Sequence, residues 1–429
     1  MTESSHSSDN TEPEIIVGPR EQLFHLLAEA AEIEHTLMCS YLYAAFSLKR
    51  GEEDGLTATQ AEVVNRWRKA IVAVALDEMV HLVLVSNLSV AIGGRPHFNR
   101  PNFPVAPGYF PSGVVVKLTP FSPETLEHFV YLERPQGMER EDGEGFEHEQ
   151  EYRREEAYQG LMPSVQDYTT VSRLYDALRL NLTACSNRLG ESRLFIGPVA
   201  GQVSRELVDL EGVSVVADLR TALLAIDTIV EQGEGSPAKR DDSHYERFRS
   251  IQNEYASLSA NDPLFAPAWP TAINPVMRRP PEPEGKIFID DPAAARVLDF
   301  ANAVYGQLLR FLAQAFGRPA QLGLEVQKQA LDAAIDLMHV LARAGSALAR
   351  MPANTTQLGV NAGLTFTMLR NVEPLMDTDA EEQLTLERLN ELAQGGRVAA
   401  RFAPSLFGID HLIARIRDRI VNRKGDNAG

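Results

Sequence analysis

The sequence predicts a mainly α protein: a four-helix bundle built from two separated helix pairs, with a Pro-rich insertion between the pairs and a further helical region after them. Three observations carry this reading. Two long stretches with helical apolar periodicity fill Glu21 to Gly93. A second pair, joined by a glycine-containing turn, fills residues 218–258. Both pairs carry ionisable residues on faces that helix packing should bury, where carboxylates are rare without a partner.

The first helix carries Leu23, Leu27, Ala30, Leu37, Met38, Tyr41 and Ala45 at helical spacing, and Glu34 falls on the same stripe. Gly51 and Gly55 end it. Thr59, with Glu62 three residues on, has the spacing of a capping box for the second helix. That helix runs Trp67, Ile71, Val74, Glu78, His81 and Val85, and Gly93–Gly94 closes it. A short loop between two long helices makes an antiparallel hairpin.

Prolines then punctuate residues 95–216, an insertion that could wall a substrate pocket. Within it, GVVVKLTPF is strand-like, ETLEHFVYLE reads as a short helix, and residues 139–156 form an acidic, solvated loop. Regular helix returns at Asp218 and stops at Gly233 and Gly235. Ser243 with Glu246 caps the fourth helix, whose core stripe would be His244, Phe248, Ile251, Tyr255 and Leu258. The expected organisation is a disordered tail over 1–18, a bundle over 19–260, a Pro-rich linker over 261–291 and a helical region over 292–429.

The formal net charge of −18 argues against nucleic-acid and anionic-membrane partners, both of which need basic patches. The N-terminus lacks the apolar stretch of a signal peptide, and no apolar run reaches membrane-spanning length. Cys39 and Cys185 read as buried thiols in a reducing compartment. A soluble, cytoplasmic chain is expected, acting on a small molecule, with homo-oligomerisation left open.

A two-metal carboxylate site in a four-helix bundle takes a Glu from each of two helices and a Glu-x-x-His pair from each of the others. Carboxylates bridge and neutralise the ions, while an imidazole three residues on reaches the same ion from the next turn. The candidate ligands are Glu34, Glu78 and His81 from the first hairpin, with Glu231 and His244 from the second. Asp241, three before His244, either ligates or sits ahead of the cap. Each alone has an ordinary explanation, as a boundary charge or a core histidine. Jointly, in this order, they point to a metal. Carboxylate-rich sites accept Fe, Mn or Zn by availability. Asp336–His339 copies the spacing, but Asp332 and Arg343 share its face, so it reads as the solvated side of an amphipathic helix. Tyr41 reads chiefly as core packing beside Glu34.

The residues EIEHTLMCSYLYAAFSLK, DEMVHL, RLFIGP and IDTIVEQGEG, followed by DDSHYERF, resemble the ferritin-like domain family of the violacein and rebeccamycin pathway enzymes, the iminophenyl-pyruvate dimer synthase type. The resemblance covers about residues 20–260. It implies a ferritin-like bundle with a non-haem iron site, mono- or dinuclear, at Glu34, Glu78, His81, Glu231 and His244. It also implies secondary-metabolism chemistry, the oxidative coupling of two imines derived from aromatic α-keto acids. A metal-binding protein without organic turnover, used for storage, sensing or structure, is the competing expectation. No catalytic side chain beyond the ligands is singled out.

Overall fold

A computed structural model describes residues 14–106, 109–110, 114–146, 163, 168, 170–233, 242–280, 285–316, 319–370 and 372–427. The helices are α1 (Arg20–Ser47), α2 (Ala58–Ala91), α3 (Pro123–Leu132), α4 (Val171–Leu189), α5 (Glu191–Leu194), α6 (Leu219–Gly233) and α7 (His244–Asn261). They continue as α8 (Pro292–Ala315), α9 (Pro319–Leu348), α10 (Thr378–Ala399) and α11 (Ile409–Asn427). The strands found among the described residues are β1 (Pro275–Val276) and β2 (Ile287–Phe288), paired in parallel. The chain is mainly α, as its periodicity predicts.

α1 is buried around nearly its whole circumference, with Leu23, Leu26, Ala30, Ile33, Tyr41 and Ala44 all fully buried. A helix apolar on every side belongs in the middle of a protein. One side of α1 packs on α2 and α4, and another on α9 of the C-terminal region. α2 is capped by Thr57 and Gln60, not Thr59: the Gln60 amide donates to Thr57 Oγ1 at 3.2 Å and the Thr57 amide donates to Gln60 Oε1 at 2.9 Å. α2 is long and apolar enough to cross a membrane by composition, but 67% of that apolar window is buried inside the protein.

The third corner around the buried polar cluster comes from the insertion. α3 starts at Ser122, whose hydroxyl accepts from the Thr125 amide at 3.1 Å, with Pro123 at its first position. It packs on α7, so the helices surrounding the centre are α1, α2, α3 and α7. α6, expected to be the third helix, lies outside them against α2, α4 and α7. α4 falls in a stretch that the periodicity reading passed over as insertion.

The strand-like residues 114–121 form no regular element, and Val114, Val116 and Leu118 are buried alternately. Among the described residues they pair with no strand. Instead Leu118 and Asn274 exchange bonds, the Asn274 amide to Leu118 O at 2.8 Å and the Leu118 amide to Asn274 Oδ1 at 3.0 Å. The glycine of RLFIGP has a steric reason: a Cβ on Gly197 would meet Val90 O at 1.7 Å. Its amide donates to Ala91 O at 2.9 Å, which fastens this loop to the end of α2.

The start of the Pro-rich segment after α7 is bonded to the end of α1, with the Lys49 amide to Pro267 O and the Trp269 amide to Ser47 O, both at 2.8 Å. Buried polar contacts join α1 to the C-terminal region. The Tyr305 hydroxyl donates to His35 Nε2 at 2.6 Å, while His35 Nδ1 donates to Phe98 O at 3.1 Å. Arg100 donates to the same hydroxyl at 3.0 Å. Burial, reinforced by Arg100, holds the His35 pKa well below its usual value, so the ring is neutral and this tautomer follows.

Candidate metal centre

Four of the residues read from the sequence converge: Glu34, Glu78, His81 and His244, each at most 2% exposed. On α2, Glu78 and His81 are one turn apart and face α1. His81 Nδ1 lies 3.1 Å from Glu78 Oε2 and 3.2 Å from Glu34 Oε2. The Ser243 cap sets His244 as the first residue of α7 and turns its ring inward. His244 Nδ1 lies 3.1 Å from Glu78 Oε1 and 3.5 Å from Glu133 Oε2. The two oxygens of Glu78 therefore address two different histidines. The rings of His81 and His244 lie 5.5 Å apart, centroid to centroid.

Glu231, the expected fourth carboxylate, is not part of this cluster. It lies exposed on the last turn of α6. The packed stripe of that helix is Ala222, Ala225, Ile226 and Ile229, which continues at Gln232 and not one residue earlier. Gln232 Oε1 accepts from His81 Nε2 at 2.9 Å. Asp241 lies outside the described residues. Asp336 pairs with Arg419 and His339 is exposed, as a solvated helix face should be.

Glu133 takes the place expected for Glu231. It is the C-cap of α3 and 8% exposed. Its signal was present in the sequence: Leu126, Phe129 and Glu133 form an apolar stripe ending in a carboxylate, the same intrusion that marks Glu34. Each outer carboxylate also accepts from a buried tyrosine, Glu34 from Tyr175 and Glu133 from Tyr41. Tyr41 is thus both core packing, against Phe129 and Phe248, and a partner of the cluster. Of the acidic loop, residues 139–146 are described and pinned to α3, with His128 Nδ1 2.7 Å from Asp142 Oδ1 and Arg140 2.6 Å from Glu127. The remainder of that loop lies outside the described residues.

The donor set fits a cation. The Glu34, Glu78 and His81 donor atoms, and those of Glu78, Glu133 and His244, each lie within 4.8 Å of one another. Both ring nitrogens of His244 are buried without an aligned hydrogen-bond partner among the described residues, although carboxylate oxygens stand nearby. A buried imidazole facing carboxylates off the hydrogen-bond axis is suited to an ion placed between them. His81 has its Nε2–H committed to Gln232, so its Nδ1 faces two carboxylate oxygens. Only a second proton or a cation makes that arrangement favourable.

Without a cation, protons do this work. Burial, then the charge of Glu78, pushes the Glu34 carboxyl up to about 8. Burial pushes Glu78 up as well, but the hydrogen bond with Glu34 and the charge of His81 outweigh it and hold Glu78 well below its usual value. Burial would lower His81, but Glu78 and Glu34 overcome it and push the imidazole up to about 10. His244 is raised well above its usual value against its own burial, chiefly by Glu133 and Asp77. At neutral pH, then, Glu34, His81 and His244 all carry protons that a metal must displace.

A pH dependence follows. Divalent-metal affinity should rise with pH through about 8 and flatten above about 10, and binding at neutral pH should release protons. Calorimetry in buffers of different ionisation enthalpy measures the release. An affinity independent of pH over this window would contradict the assignment.

The family model described as ferritin-like matches residues 27–253. The chain is 26% identical over 448 residues to dichlorochromopyrrolate synthase of Lentzea aerocolonigenes, covering 93% of this chain and 41% of that protein. It is 28% identical over 344 residues to the 2-imino-3-(indol-3-yl)propanoate dimerase of Chromobacterium violaceum, covering 75% of this chain and 31% of that protein. The chain thus spans less than half the length of either relative. Among solved structures, a ferritin-like protein from Caulobacter vibrioides aligns with a TM-score of 0.49 at 19% identity, over 82% of this chain and 100% of that one.

Proposed function

The chain belongs to the ferritin-like family, and from that premise we propose that it is a metal-dependent oxidoreductase that couples two small organic molecules at a dinuclear centre. Glu34, Glu78 and His81 would hold one ion, and Glu78, Glu133 and His244 would hold the other. The observation that carries this reading is the placement of Glu78, with one oxygen 3.1 Å from each histidine. Oxygen and imidazole donors suit iron, with manganese or zinc as alternatives set by supply. Bound there, iron would supply redox chemistry with dioxygen or peroxide.

The substrate class rests on the names of the relatives, one of which dimerises an imino acid bearing an indole. Joining two such molecules by one new bond removes two electrons and two protons. Dioxygen accepts them in becoming hydrogen peroxide, or peroxide accepts them in becoming water. In this scheme Tyr175 and Tyr41 hold the outer carboxylates in place through their hydroxyls, and both phenols stay protonated because burial pushes their pKa well up. The insertion, through α3, contributes Glu133 and walls the α7 side of the centre.

The test is anaerobic reconstitution with ferrous iron, then oxidant uptake with and without the imine of an aromatic α-keto acid. About two irons per chain and uptake dependent on the imine are expected. Chain that binds no transition metal would sink the proposal. Bound iron with no response to the imine would favour a storage, sensing or structural role instead.

A further inference from the structure

The two metal positions have unlike surroundings. Behind His81, the partner of Nε2 is a neutral amide, Gln232 Oε1 at 2.9 Å. Behind His244, the group nearest Nε2 is a carboxylate, Asp77 Oδ2 at 3.3 Å but off the hydrogen-bond axis, and it accepts from Arg247 at 2.8 Å. A partner that accepts a proton strongly from the far edge of an imidazole makes the near nitrogen a better donor, and an amide does this less than a carboxylate.

We propose that Gln232 is a positioning residue that fixes His81 with Nδ1 toward Glu34 and Glu78, and that its neutral amide makes the His81 position the weaker of two unequal metal positions. The inference rests on the dinuclear reading above. Gln232 is well placed for the role. It stands on the last turn of α6 at the end of that helix's packed stripe, so its side chain enters from outside the four surrounding helices. The oxygen end of the amide faces His81 Nε2 at 2.9 Å.

With Nε2–H donated to Gln232, His81 has one nitrogen left to offer, and it is the one that faces the carboxylates. Replacing the amide by an apolar group removes the acceptor and frees the ring to change tautomer or rotate. Replacing it by a carboxylate keeps the geometry and strengthens the donor. Neither change touches a ligand, because Gln232 meets the ring on the edge away from the cluster.

Cobalt(II) titration of the full metal-free chain tests this, read by its visible ligand-field bands. The unaltered chain should bind in two resolved steps. Gln232→Leu should weaken the second step by roughly 10- to 100-fold and alter the bands belonging to it, leaving the first step in place. Gln232→Glu should restore the second step and bring it closer to the first. Two steps of equal affinity in the unaltered chain would overturn the proposal, as would Gln232→Leu weakening both steps alike or neither. A chain that takes up no cobalt at all would instead overturn the dinuclear reading, so the two failures are distinguishable.

Discussion

Glu78→Gln is expected to abolish both metal positions together. Stoichiometry should fall from about two to none per chain, measured by elemental analysis after reconstitution and desalting. The reason is geometric: Glu78 is the one side chain shared by both donor groups. Without it each position keeps one carboxylate and one imidazole, too few to hold an ion against dilution. The fold should survive. His81 retains Glu34 Oε2 at 3.2 Å, and Glu34, relieved of the Glu78 charge, ionises more readily to pair with it. A loss of no more than about 2 kcal/mol in metal-free stability is expected, the scale of one compromised buried hydrogen bond. Retention of one full metal equivalent would show that Glu78 does not bridge.

Glu133→Gln should have a selective effect. One equivalent should be lost and the other, at Glu34, Glu78 and His81, retained. The amide oxygen can still accept from Tyr41, so the packing of Tyr41 on Phe129 and Phe248 is preserved. The paired control is Glu231→Gln, which should leave metal content unchanged and stability within about 0.5 kcal/mol, as for an ordinary surface site. The reverse pattern, with Glu231 required and Glu133 dispensable, would restore the assignment made from helix order alone.

These two residues also show where sequence reasoning reaches and where it stops. Glu34, Glu78 and His81 were legible because each interrupts a long, regular apolar stripe that fixes its own phase, and His244 because it opens the stripe of Phe248 and Ile251 directly after the Ser243 cap. Glu133 carries the same signature on a helix of ten residues set among prolines, too short to stand out by periodicity. Glu231 lies one position away from Gln232, the residue that faces the cluster. On a helix one residue is a rotation of about 100°, and near a helix end no following turn exists to settle the phase. α4 was missed because its buried face mixes Leu174, Leu178 and Leu182 with Ser172 and Asn181, which dilutes the pattern.

The run GVVVKLTPF failed differently. Its alternation matches the alternating burial of Val114, Val116 and Leu118, but a strand also needs a neighbour, and local sequence does not say whether one arrives. α8 and α9 fall within the region read as helical, 292–429. That they lean on α1, through Tyr305 and His35, was not legible, since residues that distant in sequence carry no local trace of each other.

The all-round burial of α1 has a consequence for modularity. Adjacent residues of this helix serve two neighbourhoods, Glu34 the ionisable cluster and His35 the C-terminal half through Tyr305. The chain is therefore a poor source of interchangeable parts. A chimera that took its first half from here and its second from a relative would inherit a seam through the middle of α1. Both parents would have to agree there on a histidine, a tyrosine and a buried arginine.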